Sequence, residues 1–393
     1  MTPLKPVPTA LLKAAPWVLF TIGFTAFLLW FNLTLSYPLP ADVQMGNRYE
    51  EAVVLAVRSD TLAPDPDFPE LRIGTQTVEV EILSGEAAGT RTLLNNFVTR
   101  TDNRPLAVGM EIIASSYDGF ATGMIANYSR EKPALILVLV FLAVVALIGR
   151  GKGLKAIYAL AFTLSCVIFL FIPLLLRGMN PIAASLLVVT LSCGVTLLSL
   201  NGLSAKTLIA GIGCILCTLS AGAIALAFGW AAHLSTYATP EAENLIFIAQ
   251  NTALRLHDIV FAAIIIASSG ALMDMTMSIS SALFELKELN PGLSAQQIRR
   301  SGMNIGRDVM GTMTNTLILA FTGSSINSLL VIFMYNMSFR RIINMDLLML
   351  EIMQGLSGAV AIALSIPITA LLASRVLGGA HHEGNTHGAG QDA

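Results

Sequence analysis

GRDVMGTMTNTLILAFTGSS, residues 306–325, begins like a helix entering a membrane and then turns polar. Arg307 and Asp308 stand at its edge. Thr312, Thr314, Asn315, Thr316, Thr322, Ser324 and Ser325 follow inside an otherwise apolar run. A helix facing lipid on every side gives such side chains no partner. The stretch therefore reads as one span of a helical polytopic membrane protein, its polar side turned towards other helices or water.

The rest of the chain agrees. Of 393 residues, 54% are hydrophobic and 12% charged, with a mean hydropathy of +0.71. Soluble domains carry roughly a quarter charged residues. Apolar runs of membrane-crossing length fall near 14–36, 133–149, 156–176, 181–200, 207–231, 257–282, 311–335 and 347–376. That makes about eight transmembrane helices. The net charge of −2 provides no basic field for nucleic acid. No phosphate-binding GxxxxGK[ST] loop occurs, and GKGLK at 151–155 is too short to be one. No metal site, cofactor or catalytic residue is expected. HExxH, GxSxG and paired-aspartate motifs are absent, so the chain does not read as an enzyme.

Residues 1–13 read as a cytoplasmic N-terminus and 14–36 as an anchor, longer than the apolar core of a signal peptide. Pro16 suits a first helical turn. Across 40–131 charge, Pro and Gly return. Strands are expected at 49–60, 75–83, 90–98 and 110–116, with a turn at 84–89. Val78, Val80 and Ile82 alternate with Glu79 and Glu81, which gives one buried and one wet face. A small all-β domain, OB-like or a sandwich, between the first and second spans is the expectation. It has neither the aromatic platform nor the basic stripe of a nucleic-acid binder. A structural or ligand-sensing role is its default.

Residues 133–376 form the seven-helix membrane domain. Within it Asn290-Pro291-Gly292 is a turn, and Ser294 with Gln297 reads as a capping box opening a short cytoplasmic helix over 294–308. Residues 377–393 are a Gly- and His-rich tail expected to be disordered. There His381, His382 and His387 read either as metal ligands or as part of a floppy segment. Lys5, Lys13, Arg150, Lys152, Lys155, Lys206, Lys287, Arg299, Arg300, Arg307 and Arg375 gather on one side, against Arg177, Arg255, Arg340 and Arg341 on the other. The bias puts both termini in the cytoplasm and the β domain outside, although Arg130, Lys132, Arg340 and Arg341 run against it.

The sixth run, HDIVFAAIIIASSGALMDMTMSISSALF from His257, carries Asp274 well inside. An aspartate at a span centre costs about 2.5–3.5 kcal/mol, and one Leu or Ile offsets only about 0.3–0.6. Gly270, Asp274, Ser278 and Ser281 share a face by helical spacing. In the seventh run Gly311, Asn315, Ile318, Thr322 and Ser325 share another, flanked by Thr312 and Thr316. Interhelical polar bonds average only about 0.6 kcal/mol, so a lined polar cavity explains the pattern better than glue. Ala267-Ser268-Ser269-Gly270 and Thr322-Gly323-Ser324-Ser325 lie near the middles of these two antiparallel runs. Such pairs point to broken helices around a midplane site.

Secondary candidates are Arg307, Asp308, Glu351 and Asp258. Asp258 stands beside His257 at the outer end of the sixth run. Asp308 suits a helix N-terminus. Glu351 reads as a solvated helix end or a cavity lining. Met345, Met349 and Met353 make a stripe that reads as packing seam or thioether path. The cysteines Cys166, Cys193, Cys214 and Cys217 all lie in apolar runs and form no disulfide framework. Cys214 and Cys217 share a helix face, as a redox or soft-metal pair or as packing.

ASSGALMDMTMSISS (267–281) and GMNIGRDVMGTMTNTLILAFTGSS (302–325) resemble the signature segments of the YibE/F family of bacterial multi-pass membrane proteins. The plan of anchor, extracytoplasmic β domain and seven spans is similar too. The resemblance implies a bacterial cytoplasmic membrane and no particular chemistry. Two functions are then weighed. One is a secondary transporter or channel for a small solute or ion, with Asp274 and Asn315 at its centre and Thr312, Thr316, Ser269, Gly270, Ser278, Thr322, Gly323 and Ser324 along the path. The other is a non-transporting assembly or sensing protein, a homo-oligomer or one whose β domain binds an envelope partner. The lipid bilayer is a partner in both, and nucleic acid in neither.

Overall fold

The computed structural model describes residues 9–33, 48–116, 120, 123–234, 237, 242–335 and 337–379. The His-rich stretch 380–393 and the first eight residues lie outside them. Two compact units form, one of them within residues 39–147.

The β unit holds strands β1 (Arg48–Asp60), β2 (Ala63–Pro64), β3 (Arg72–Ile82), β4 (Arg91–Val98), β5 (Glu111–Ser116) and β6 (Met124–Tyr128). β1 pairs with β5, β5 with β6, β6 with β4, β4 with β3 and β3 with β1 again. The ring closes into a barrel, so the sandwich alternative is set aside. All of these pairings are antiparallel except β4–β6. The short β2 and the final β6 had no clear signal: β2 has two residues, and β6 buries none of its residues fully. In β3, Gln76, Val78, Val80 and Ile82 point inward at strict alternation. Val54, Leu94 and Ile112 meet them. Each such aliphatic side chain contributes about 1.5–3 kcal/mol on burial. Gln76 is the buried polar member and is fully used. Its Oε1 accepts from the Leu106 N–H at 2.8 Å and Asn96 Nδ2 at 3.2 Å, and its Nε2 donates to the Leu106 carbonyl at 3.1 Å. The turn at 84–89 forms as expected, with Gly85 at φ +70°.

Helix α1 spans Thr9–Leu33. It begins earlier than expected, so Pro16 lies inside it rather than in its first turn. Helical run α2 covers Glu131–Leu176. The loop expected at 150–155 is replaced by a kink at Arg150, with φ 47° and ψ −130°. Glycines 149, 151 and 153 surround it, and no proline stops the helix. Within α2, Val167–Phe171 is a π turn. Asn32 Nδ2 donates to the Phe169 carbonyl in that turn at 2.7 Å. Leu28 packs with Phe162 and Cys166 nearby.

Helix α3 (Pro181–Asn201) starts at an Asn180 cap that accepts from the N–H groups of Ile182 and Ala183. Helix α4 (Ala205–Ala231) starts at a Ser204 cap. A short helix α5 (Ala242–Asn251) follows, then α6 (Ile259–Leu289). Helix α7 runs Ala295–Ser324, α8 Ile326–Met334, α9 Phe339–Ile343 and α10 Asp346–Gly379. The cytoplasmic helix expected at 294–308 is thus continuous with the seventh span, because nothing between Arg307 and Gly311 breaks it. The capping box at its start does form, with Ser294 Oγ accepting from the Gln297 N–H and Gln297 Oε1 accepting from the Ser294 N–H.

Among the described residues, five helical runs are long and apolar enough to cross a membrane, or six when α7 and α8 count as one broken span. The eight expected spans are not reached by this measure. α2 merges two of them, and the apolar part of α1, Ile22–Leu33, is short. The core lies where α4, α6 and α10 meet, around Cys214, Leu272, Met275, Ile279, Ile362 and Ile366. α7 packs on α10 through Gly302 and Gly306.

Candidate functional site

The seventh span is broken. α7 and α8 meet at an angle of 64° around Ser325. The cause is local: Gly323 weakens the helix and two hydroxyls compete for its backbone. Ser324 Oγ and Ser325 Oγ both donate to the Phe321 carbonyl, at 2.7 and 3.0 Å. This break stands where the polar cluster predicted it. The matching break in the sixth span does not form, since α6 is helical throughout Ile259–Leu289. There Ser268 is buried against Gly358 of α10, and Ser269 Oγ donates to its own Ile266 carbonyl at 2.7 Å. Ser268 serves close packing there instead, while Gly270 has nothing within 4 Å of the place of a Cβ.

Asp274 sits on α6 with Gly270 and Ser278, on the side exposed in the single chain. The shared face predicted from spacing is therefore real. It points away from the core formed by Leu272, Met275, Thr276 and Ile279. On α7, Thr312, Asn315, Thr316, Thr322, Gly323 and Ser324 are also exposed, as are Arg307 and Asp308. Thr312 Oγ1 donates to the Val309 carbonyl and Thr316 Oγ1 to the Thr312 carbonyl, each at 2.8 Å. These hydroxyls satisfy themselves on their own helix and leave lone pairs outward. Within one chain neither Asp274 nor Asn315 lines any of the three cavities that follow.

The first cavity, about 230 Å³, lies at the break. Ile318, Phe321, Thr322 and Ser325 line it from α7 and its end, and Glu351, Ile352 and Gly355 from α10. Glu351 Oε2 is buried with no hydrogen-bond partner among the described residues. The second, about 380 Å³, lies between the later part of α2, α3 and α6, and takes in Thr163, Ser192, Thr196, Ser269 and Gly270.

Residues 137–379 match the YibE/F-like protein family. The chain belongs to the YibE/F family. The match begins within α2, so it covers this YibE/F protein from α2 onward and leaves α1 and the barrel outside. No match was found among curated proteins or among solved structures.

The third cavity of the YibE/F chain, about 400 Å³, gathers His233, Trp230, His257 and Asp258 where α4 ends and α6 begins. His257 Nδ1 and Asp258 Oδ1 are 2.8 Å apart. The four cysteines are free and buried. Cys193, Cys214 and Cys217 pack in the main core and Cys166 with Leu28, as packing residues would. Met349 and Met353 likewise pack beside Leu350 and Phe261. Sequence reasoning missed Ser280, whose Oγ crosses to the Lys206 carbonyl of α4 at 2.8 Å. It also missed Thr218, buried beside Cys214, and Thr369, a buried hydroxyl without a hydrogen-bond partner among the described residues. Their apolar neighbours hid them, because helical periodicity alone does not separate core from lipid side when both are apolar.

Proposed function

We propose that this protein is a secondary transporter or channel of the bacterial cytoplasmic membrane, moving a small solute or ion. The observation that carries the reading is the 64° break between α7 and α8 amid Thr322, Gly323, Ser324 and Ser325. Non-helical backbone at membrane depth is tolerated where it is buried in protein or lines a cavity, and discontinuous helices are the usual place of transport sites. Asp274 is the coupling carboxylate, and Asn315 with Thr312 and Thr316 continues the path. Both termini are cytoplasmic and the barrel is outside, with α1 and the two parts of α2 completing eight crossings.

The exposure of Asp274, Gly270 and Ser278 on the single chain supports one further element. An aspartate facing lipid costs about 2.5–3.5 kcal/mol. The polar faces of α6 and α7 are therefore covered by a second copy of the chain, and the path is completed in the oligomer.

The test is flux in proteoliposomes. Asp274→Asn inserts and folds but loses coupled flux, while replacing 48–128 by a short linker leaves flux in place. Unchanged flux of Asp274→Asn across a pH series removes this residue from the mechanism. Loss of function only on barrel removal favours the assembly or sensing role.

A further inference from the structure

The cavity at the break of the seventh span has an electrostatic problem. It is walled mainly by Ile318, Phe321, Leu329, Leu348, Ile352 and Leu356. Into this apolar space comes one ionisable group, Glu351, and its Oε2 is buried without a hydrogen-bond partner among the described residues. An oxygen cut off from water in this way is stabilised by a hydrogen-bond donor or a cation beside it. The helix ends beside it do not resolve this. The carbonyl end of α7 brings partial negative charge to the break and the amino end of α8 brings partial positive charge to the same point. The two oppose each other, and the carboxylate remains.

Neutral oxygens share the cavity with it. Thr322 and Ser325 line the same cavity. Ser325 Oγ spends its proton on the Phe321 carbonyl at 3.0 Å, so its lone pairs are free to coordinate. One carboxylate with hydroxyl oxygens matches a single positive charge. Calcium takes six to eight oxygens, commonly from several carboxylates, and magnesium demands a near-octahedral shell with water. We propose that this cavity binds one small monovalent metal cation, of the sodium class, through the Glu351 carboxylate and the hydroxyls of Thr322 and Ser325. The site is separate from Asp274, and its occupancy requires no flux through the protein.

Purified full-length protein in detergent, exchanged into N-methylglucamine chloride, is titrated with sodium chloride at constant ionic strength. Thermal unfolding and equilibrium binding of radioactive sodium are read. A ligand that binds only the folded state raises the melting temperature in a saturable way. Wild type shows that saturable shift and about one sodium bound per chain. Glu351→Gln loses both, Ser325→Ala binds at least tenfold more weakly, and Leu164→Ala, on the exposed side of α2, keeps wild-type binding. Glu351→Asp, which keeps the charge with a shorter reach, binds at least tenfold more weakly and guards against a folding defect in the glutamine variant. No sodium-specific response in wild type overturns the proposal. So does an equal response in Glu351→Gln or Glu351→Asp, or stability that follows pH alone with no effect of sodium.

Discussion

Gly306 of α7 lies against Ile366 of α10 so closely that a Cβ built on the glycine would stand 2.4 Å from Ile366 Cγ2. Ile366 is itself buried in the main core and has nowhere to retreat. Gly306→Ala gains about 1 kcal/mol of helix propensity but overpacks a tight contact, which costs about 1–3 kcal/mol. The expected result is a lower melting temperature in detergent, and a larger fall for Gly306→Val. Gly311→Ala, with nothing within 4 Å of the added carbon, leaves the melting temperature unchanged or raises it.

The Ser294 cap gives a local prediction. Its Oγ accepts from the Gln297 N–H at 3.3 Å. Ser294→Ala removes about 1 kcal/mol from the start of α7. Amide hydrogen exchange at 295–298 is expected to quicken about fivefold, with no change at 310–320. Equal rates in both proteins would show that the cap contributes nothing.

In the barrel, the Asp65 side chain is fully covered and takes two contacts from Arg100, Nε to Oδ2 at 2.5 Å and Nη2 to Oδ1 at 2.9 Å. The Arg100 guanidinium holds this carboxyl below its ordinary range. A depressed carboxylate contributes stability that is present above its unfolded pKa of about 3.9 and is lost as pH falls through the folded value. Barrel amide protection, corrected for intrinsic exchange, should therefore fall on acidification below about pH 4. Asp65→Asn starts less protected at neutral pH and shows a shallower acid limb. Parallel acid limbs in the two proteins would refute the pairing argument.

The oligomer is tested by cross-linking. Gly270→Cys places a thiol on the exposed face of α6, whereas all four native cysteines are buried. Oxidation in membranes should give a disulfide-linked dimer for Gly270→Cys and none for Leu164→Cys, which is 56% exposed on α2. Equal yields from both would mean random collision.

Particular residues show what the sequence made legible. The alternation through Val78, Val80 and Ile82 located β3 and the inward face of the barrel, because a two-residue period has one solution when one face is wet. Ring closure was not legible, since it depends on β6 reaching β4. Thr322-Gly323-Ser324-Ser325 located a true break, yet Ala267-Ser268-Ser269-Gly270 did not. The same residue types either loosen a helix or let it approach a neighbour, and here Gly358 made the second outcome available. Spacing placed Asp274 on a face with Gly270 and Ser278 but said nothing of which way that face turns. Glu351 was the reverse case: the sequence left it between a solvated helix end and a cavity lining, and its interest comes from an unpartnered oxygen in that lining.

Thirty residues of unbroken helix connect the Ser294 cap to the bend at Ser325, a stiff rod of about 45 Å. Its buried points, Ile298, Gly302 and Gly306, all lie near one end. Buried there and only half-covered beyond, where Met310, Met313 and Leu317 still touch the core, α7 is built as a lever with a short arm at the Ser294 cap and a long arm reaching Ser325. A small push on the tip at Ser294 would swing its far end through a larger arc, and it is that far end that carries the break.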